Sequence, residues 1–253
     1  LNVNMVIANL LAQRGITTYA EAQAFFRPKL SDLHDPFLMK DMDKAVERLE
    51  RAIDNQEKVL IYADYDVDGT TSVALMYQFL RSRLKNLDYY IPDRYSEGYG
   101  ISRTSILYAA EQEITLVIVL DCGIKAVEKI KMAKDLGIDF IICDHHNPAD
   151  TIPDAVAVLD PKRQDCNYPY KELSGCGVGF KLVQAFSKKN NIPFSELAEL
   201  LDLLVVSIAS DIVPVTGENR VLAHFGLKKL NTSPSIGLKT IMQYSGLNTE
   251  EKS

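Results

Sequence analysis

Three aspartates, Asp64, Asp66 and Asp68, occupy alternate positions in IYADYDVDGTTS (61–72). They lie between an apolar run and a glycine followed by three hydroxyl residues. Asp121 ends the apolar run of VIVLDCG, Asp144 ends that of FIICDHHNP, and Asp211 sits in SIASDIVP. His145 and His146 follow Asp144 directly. Crowded carboxylates repel one another, and a bound cation offsets that repulsion because its charge dominates such a site. Carboxylates with one or two imidazoles suit Mn²⁺ or Mg²⁺ and not thiolate-seeking metals. More than four candidate ligands exceed one tetrahedral zinc. They match two divalent ions that share a bridging carboxylate. Any one of these aspartates alone would read as a turn residue or a helix N-cap. Several such sites together with a His-His pair point to a metal centre.

The elements that must position these residues are legible in the patterning. Short apolar runs at 58–63, 87–92, 115–121, 139–144 and 155–160 read as strands. Helical patterns at 71–84, 102–112 and 125–137 alternate with them, the second opened by Ser102 and the third stopped by Gly137. Strands that are apolar on both faces, alternating with helices, predict an α/β fold: a parallel sheet flanked by helices. The carboxyl ends of parallel strands open on one edge, where ligands bind. Asp64, Asp66, Asp68, Asp121, Asp144, His145 and His146 all fall at that edge. Asp211 closes a helical run ahead of a proline and is within reach of it. Residues 1–56 read as a helical N-terminal lead-in, with 27–37 as a loop. Residues 57–245 read as the main domain, ending in a helical C-terminal part at 178–190, 195–209, 219–231 and 235–245. Residues 246–253 read as a tail.

Composition sets outer limits. The chain has 253 residues, 47% apolar and 25% charged, which is ordinary for a globular protein with a real core. No apolar run approaches the roughly 18 residues of a membrane span, so no membrane partner is expected. The start LNVNMVIANLLAQRG has no basic n-region and no small-residue cleavage site, so it does not read as a signal peptide. Four cysteines without CxxC pairing fit reduced thiols in the cytoplasm. The net charge of −6 is unlike a protein that holds nucleic acid through broad electrostatics, yet it is compatible with a local basic groove and a carboxylate-lined site.

Four stretches in order, DYDVDGTTS, LDCGI, DHHNP and SIASDIVPVTGENR, resemble the signature motifs of the DHH phosphoesterase family. The lead-in (8–46) and the segments IPDRYSEGYGIS and LSGCGVGFKL are similar to the family's exonucleases for single-stranded DNA. The resemblance spans essentially the whole chain. It implies two divalent ions, usually Mn²⁺ with Mg²⁺ as an option. Asp66, Asp68, His145 and Asp211 are the implied ligands, and Asp121 is the implied bridge between the ions. His146 is implied to touch the scissile phosphate. Some members carry a histidine where this chain has Tyr62; Asp64 is then the candidate replacement ligand, and Asp144 an orienting group. The implied activity is 5′-to-3′ hydrolysis of single-stranded DNA to 5′-mononucleotides in DNA repair and recombination, with replication or recombination proteins as partners. The family's second α/β domain and OB-fold have no counterpart in these residues, which implies a fragment.

Other residues are placed around that centre. Arg94 and Arg103 flank SEGYG, with Tyr95 and Tyr99 between them, a combination that holds single strands by phosphate contact and stacking. A solvated loop with packed tyrosines is the plainer reading. Ser174 and Gly175 open a helix whose N–H groups suit a phosphate, although glycines there also serve close packing. Asn219 and Arg220 follow Asp211 closely enough to reach substrate. His34 and His224 are isolated and read as structural. Two other functions compete with the exonuclease. One is a phosphoesterase for small substrates such as oligoribonucleotides, cyclic dinucleotides or adenosine bisphosphate. The other is an inert DNA-binding relative, which is expected to have lost ligands.

Overall fold

The structure is a computed structural model that describes residues 3–247. In chain order the elements are α1 (Met5–Gln13), α2 (Tyr19–Phe26), α3 (Met42–Asp54), β1 (Val59–Ala63), α4 (Val67–Leu80), β2 (Leu87–Tyr90), α5 (Arg103–Glu111), β3 (Leu116–Leu120), α6 (Val127–Asp135), β4 (Asp139–Cys143), β5 (Ala157–Leu159), α7 (Gly175–Lys189), α8 (Phe194–Ala198), α9 (Leu201–Ser210), α10 (Gly217–Thr232) and α11 (Ile236–Tyr244). The five strands form one sheet in the order β2-β1-β3-β4-β5, and every pair is parallel. Parallel neighbours need crossover connections, and α4, α5 and α6 supply those among the first four strands.

The chain moves outward from β1 to β2, then returns to place β3 on the other side of β1. This reversal opens a crevice between β1 and β3 at their carboxyl ends. Strand residues alternate between two cores. Ile61, Ala63, Ile118, Leu120 and Ile141 pack with α3, α4, α7 and α9 on one face. Leu60, Tyr62, Val117, Val119 and Ile142 pack with α5 and α6 on the other. Both faces are therefore covered, which is why the strands read as unbroken apolar runs.

Several boundaries differ from the sequence reading. α4 begins at Val67, not near Thr71, because Asp66 caps it. α7 begins at Gly175, capped by Ser174. The run 195–209 divides into α8 and α9 at Glu199 and Leu200. The 27–37 loop holds two 3₁₀ turns, Leu30–Asp32 and Pro36–Leu38. α3, in the lead-in, buries Met42, Ala45, Val46, Leu49 and Ala52 in the same core as β1 and α7. Arg48 on α3 is also buried and pairs with Asp139 at 2.5 Å and Glu57 at 2.7 Å, tying this helix to the opposite edge of the sheet from the crevice. From residue 248 onward the expected tail lies outside the described residues. Among the described residues, no helix is long and apolar enough to cross a membrane.

Candidate metal centre

The turn from β1 into α4 is tight. A Cβ on Gly69 would lie 2.1 Å from the carbonyl oxygen of Asp64, so only glycine lets the helix start this close to the strand end. Asp66 caps α4, its Oδ1 accepting the Gly69 N–H at 2.9 Å. Asp68 points instead toward α7. Its Oδ2 accepts the Gly175 N–H at 2.7 Å, and its Oδ1 accepts the Cys176 N–H at 2.9 Å and the Ser207 hydroxyl at 2.7 Å. Ser207 is left to accept from Ser174 at 2.6 Å, and Ser174 accepts the Gly177 N–H. A carboxylate has about four acceptor positions. Three on Asp68 are taken, and its Oδ2 lies 3.8 Å from His145 Nε2.

Asp121 follows β3 with φ at 61°, in the left-handed region that non-glycine residues seldom occupy. Burial, and then the charges of Asp68, Asp66, Asp144 and Asp211, push its carboxyl up to about 11. Burial also raises Asp64, which has Oδ1 unpartnered among the described residues, and Asp211, which His145 partly offsets. His145 follows β4. Its Nε2 lies 3.1 Å from Asp121 Oδ1 and 3.6 Å from Asp211 Oδ2. Neither of its buried ring nitrogens makes a hydrogen bond among the described residues. Burial lowers its pKa, which keeps the imidazole neutral, the form that ligates metals.

Asp144 spends its oxygens on its neighbours. Oδ1 accepts from the His145 N–H at 2.7 Å and the His146 N–H at 3.1 Å and meets His146 Nδ1 at 2.8 Å; Oδ2 accepts the Ile124 N–H at 2.8 Å. Burial works to raise its pKa, but the bond to His146 and these backbone donors hold it below the usual carboxylate range. The same bond raises His146 above the usual imidazole value. Tyr99 is 57% exposed, its hydroxyl 3.2 Å from His146 Nε2 and 3.4 Å from the Asp121 carbonyl. Tyr62 does not face the ligands: its hydroxyl donates to the Gly100 carbonyl at 2.7 Å and so braces the Tyr99 loop.

Among the described residues, two clusters of ligand atoms, each within 4.8 Å, result: Asp68, His145 and Asp211, and Asp121, His145 and His146. The donor set is carboxylate oxygens around an imidazole that makes no hydrogen bond among the described residues. That set fits a divalent cation such as Mn²⁺ or Mg²⁺.

The outer residues divide. Arg94 lies over the Tyr65 ring at 5.2 Å, and Arg103 is exposed in the first turn of α5. Ser174 and Gly175 are buried, and the N–H groups of Gly175 and Cys176 are committed to Asp68, which leaves neither for a phosphate. Asn219 is buried, its amide donating to the carbonyls of Glu172 and Pro214. Arg220 stacks on Phe25 at 3.4 Å and donates to its carbonyl. Asn219 and Arg220 thus hold α10 to its surroundings, because the chain turns away after Asp211 and their side chains pack inward. Ser207 is an addition. It lies four residues before Asp211 on one helix face, a spacing that places both beside the same site. Asp160 is another: it ends β5, fully buried, with Oδ2 unpartnered among the described residues and its carboxyl raised to about 7, mainly by burial.

Residues 58–208 match the model of the DHH family, N-terminal domain. The chain belongs to the DHH family. The matched DHH segment runs from the residue before β1 into α9 and contains every ligand candidate except Asp211. Over 97% of its length the chain is 42% identical to the single-stranded-DNA-specific exonuclease RecJ of Bacillus subtilis (strain 168), and it spans 30% of that relative. A crystal structure of exonuclease RecJ bound to manganese superposes with a TM-score of 0.76 at 28% identity, covering 88% of this chain and 55% of that one. RecJ from Thermus thermophilus in complex with Mn²⁺ gives 0.77 at 25% identity, covering 94% of this chain and 33% of that one.

Proposed function

We propose that this chain carries the catalytic centre of a divalent-metal-dependent exonuclease that hydrolyses single-stranded DNA in the 5′-to-3′ direction to 5′-mononucleotides. The observation that carries the reading is His145, buried with no hydrogen bond among the described residues while Asp68, Asp121 and Asp211 converge on its Nε2. Asp68, Asp121, His145 and Asp211 would hold one cation. Asp66, whose charge acts on both Asp121 and Asp64, would hold a second together with Asp64. When bound, such ions lower the pKa of a water and neutralise phosphodiester charge. The remaining work falls to the chain. His146, whose pKa Asp144 raises through their hydrogen bond, faces the charge that develops on a non-bridging oxygen. The buried Asp144 fixes the orientation of that ring. Tyr99 and Arg94, on the exposed loop, lie along a path for a single strand. The RecJ relatives support the substrate, and their solved Mn²⁺ complexes support the metal. Roles in repair and recombination, and work with replication or recombination proteins, follow from the same likeness. Four free buried cysteines support a reducing, cytoplasmic setting.

The test is release of mononucleotides from a labelled single strand of about 20 nucleotides, with Mn²⁺ and with chelator. Asp121→Ala is expected to cost at least about 10³-fold, because it would serve both ions, with the circular dichroism spectrum retained. Near-normal turnover by that variant would refute the two-ion reading. Hydrolysis of small nucleotides with the strand left intact would transfer the activity to a small-substrate phosphoesterase.

A further inference from the structure

A backbone outlier stands next to the centre. α9 ends at Ser210 with Asp211 as its right-handed C-cap, and Ile212 follows at φ 56°. Helices that end this way usually carry glycine, or sometimes asparagine, at the left-handed position. Isoleucine is disfavoured there because a branched side chain on a left-handed backbone crowds the following carbonyl. Burial does not compensate, since Ile212 is 86% exposed. Both the strain and the exposure work against the fold, and glycine would provide the same turn without either.

The surroundings suggest what the side chain is for. Asp211 reaches within 3.6 Å of His145. The end of α9 is joined to the first turn of α4 through Ser207 and Asp68. On that turn Val67, between Asp66 and Asp68, is also apolar and exposed. Exposed aliphatic side chains thus adjoin carboxylates on both elements. A nucleotide presents the matching chemistry, a phosphate for the cations and an apolar base face a few ångströms away.

We propose that Ile212, next to Asp211, and Val67, between Asp66 and Asp68, form an apolar rest for the base of the nucleotide whose phosphate lies at the Asp121–His145 centre. This inference rests on the reading of the site as a nuclease for single-stranded DNA. Every base has an apolar face, so the contact is independent of sequence.

Fluorescence anisotropy tests it, with a 5′-phosphorylated oligothymidylate and a matched strand whose terminal nucleotides are abasic, both in Ca²⁺ to suppress cleavage. Ile212→Gly is expected to bind the thymidylate strand about tenfold more weakly, the scale of losing one buried aliphatic contact. It is expected to bind the abasic strand as wild type does, to keep its Mn²⁺ affinity by calorimetry, and to melt no lower than wild type, because glycine relieves the strain. Ile212→Met is expected to restore thymidylate binding to within about twofold. Equal binding of the thymidylate strand by Ile212→Gly and wild type, or an equal loss on both strands, overturns the inference. Loss of Mn²⁺ affinity in both variants also overturns it, by assigning Ile212 to holding Asp211. If wild type neither binds the strands nor cuts them with Mn²⁺, the nuclease reading fails and takes this inference with it. If wild type cuts and Ile212→Gly matches it on both strands, only this inference fails.

Discussion

At the scale of the residue, the centre is a set of acids whose environments differ. Asp144 is satisfied by four donors, whereas Asp121 and Asp64 are buried and crowded. Asp144→Asn is expected to reduce turnover about 10- to 100-fold while leaving Mn²⁺ affinity nearly unchanged, as is usual when the partner of a functional group is lost. Turnover and metal titrations on the same preparation check this. Asp160 offers a separate test by pH. Its folded carboxyl titrates near 7, above the unfolded value of about 3.9. Its stabilising effect is therefore complete below about pH 4 and is lost as pH rises through 7. Asp160→Asn is expected to raise the melting temperature more at pH 8 than at pH 5. Thermal melts at the two pH values decide, and a larger gain at pH 5 would contradict the sign. These residues were unequally legible in the sequence. Asp66, Asp68, Asp121 and His145 stand at strand ends, where the sheet's direction fixes their edge. The side chains of Asn219 and Arg220 are close to Asp211 in sequence but pack inward on α10, and spacing alone does not reveal where a helix turns. Asp160 ends the shortest strand and had no acidic neighbour to draw notice.

At the scale of the element, the centre depends on how closely α7 approaches β3. A Cβ on Gly175 would lie 2.5 Å from both Cβ and Oδ1 of Asp121. Gly175→Ala is expected to displace Asp121, destabilise the fold by about 1–3 kcal/mol and weaken Mn²⁺ binding more than it weakens folding. Calorimetric metal titration beside a urea melt separates the two losses; unchanged metal affinity would show that α7 can retreat freely. The alternation of strands and helices was readable because each strand is covered on both faces. The starts of α4 and α7 were not, because Val67–Thr70 and Gly175–Gly177 have poor helix propensity and become helical through the caps Asp66 and Ser174. The division between α8 and α9 carries no glycine or proline and left no mark in the pattern.

At the scale of the molecule, the acids set a cost that a cation removes. Mn²⁺ at 100 times its dissociation constant is expected to stabilise the fold by about 2.7 kcal/mol, and excess chelator is expected to reverse this. Melts at several Mn²⁺ concentrations check it, and a flat response would exclude a site bound only by the folded chain. The order of assembly adds a consequence. Pairing of β3 with β4 brings His145 to Asp121, but Asp211 joins them only where α9, from far along the chain, has docked against α4. The Ser207–Asp68 contact that fixes α9 there joins residues 139 apart, and a contact of that separation is expected to close late in folding. The metal then acts as a latch rather than a nucleus: in stopped-flow experiments Mn²⁺ is expected to slow unfolding while the refolding rate stays the same.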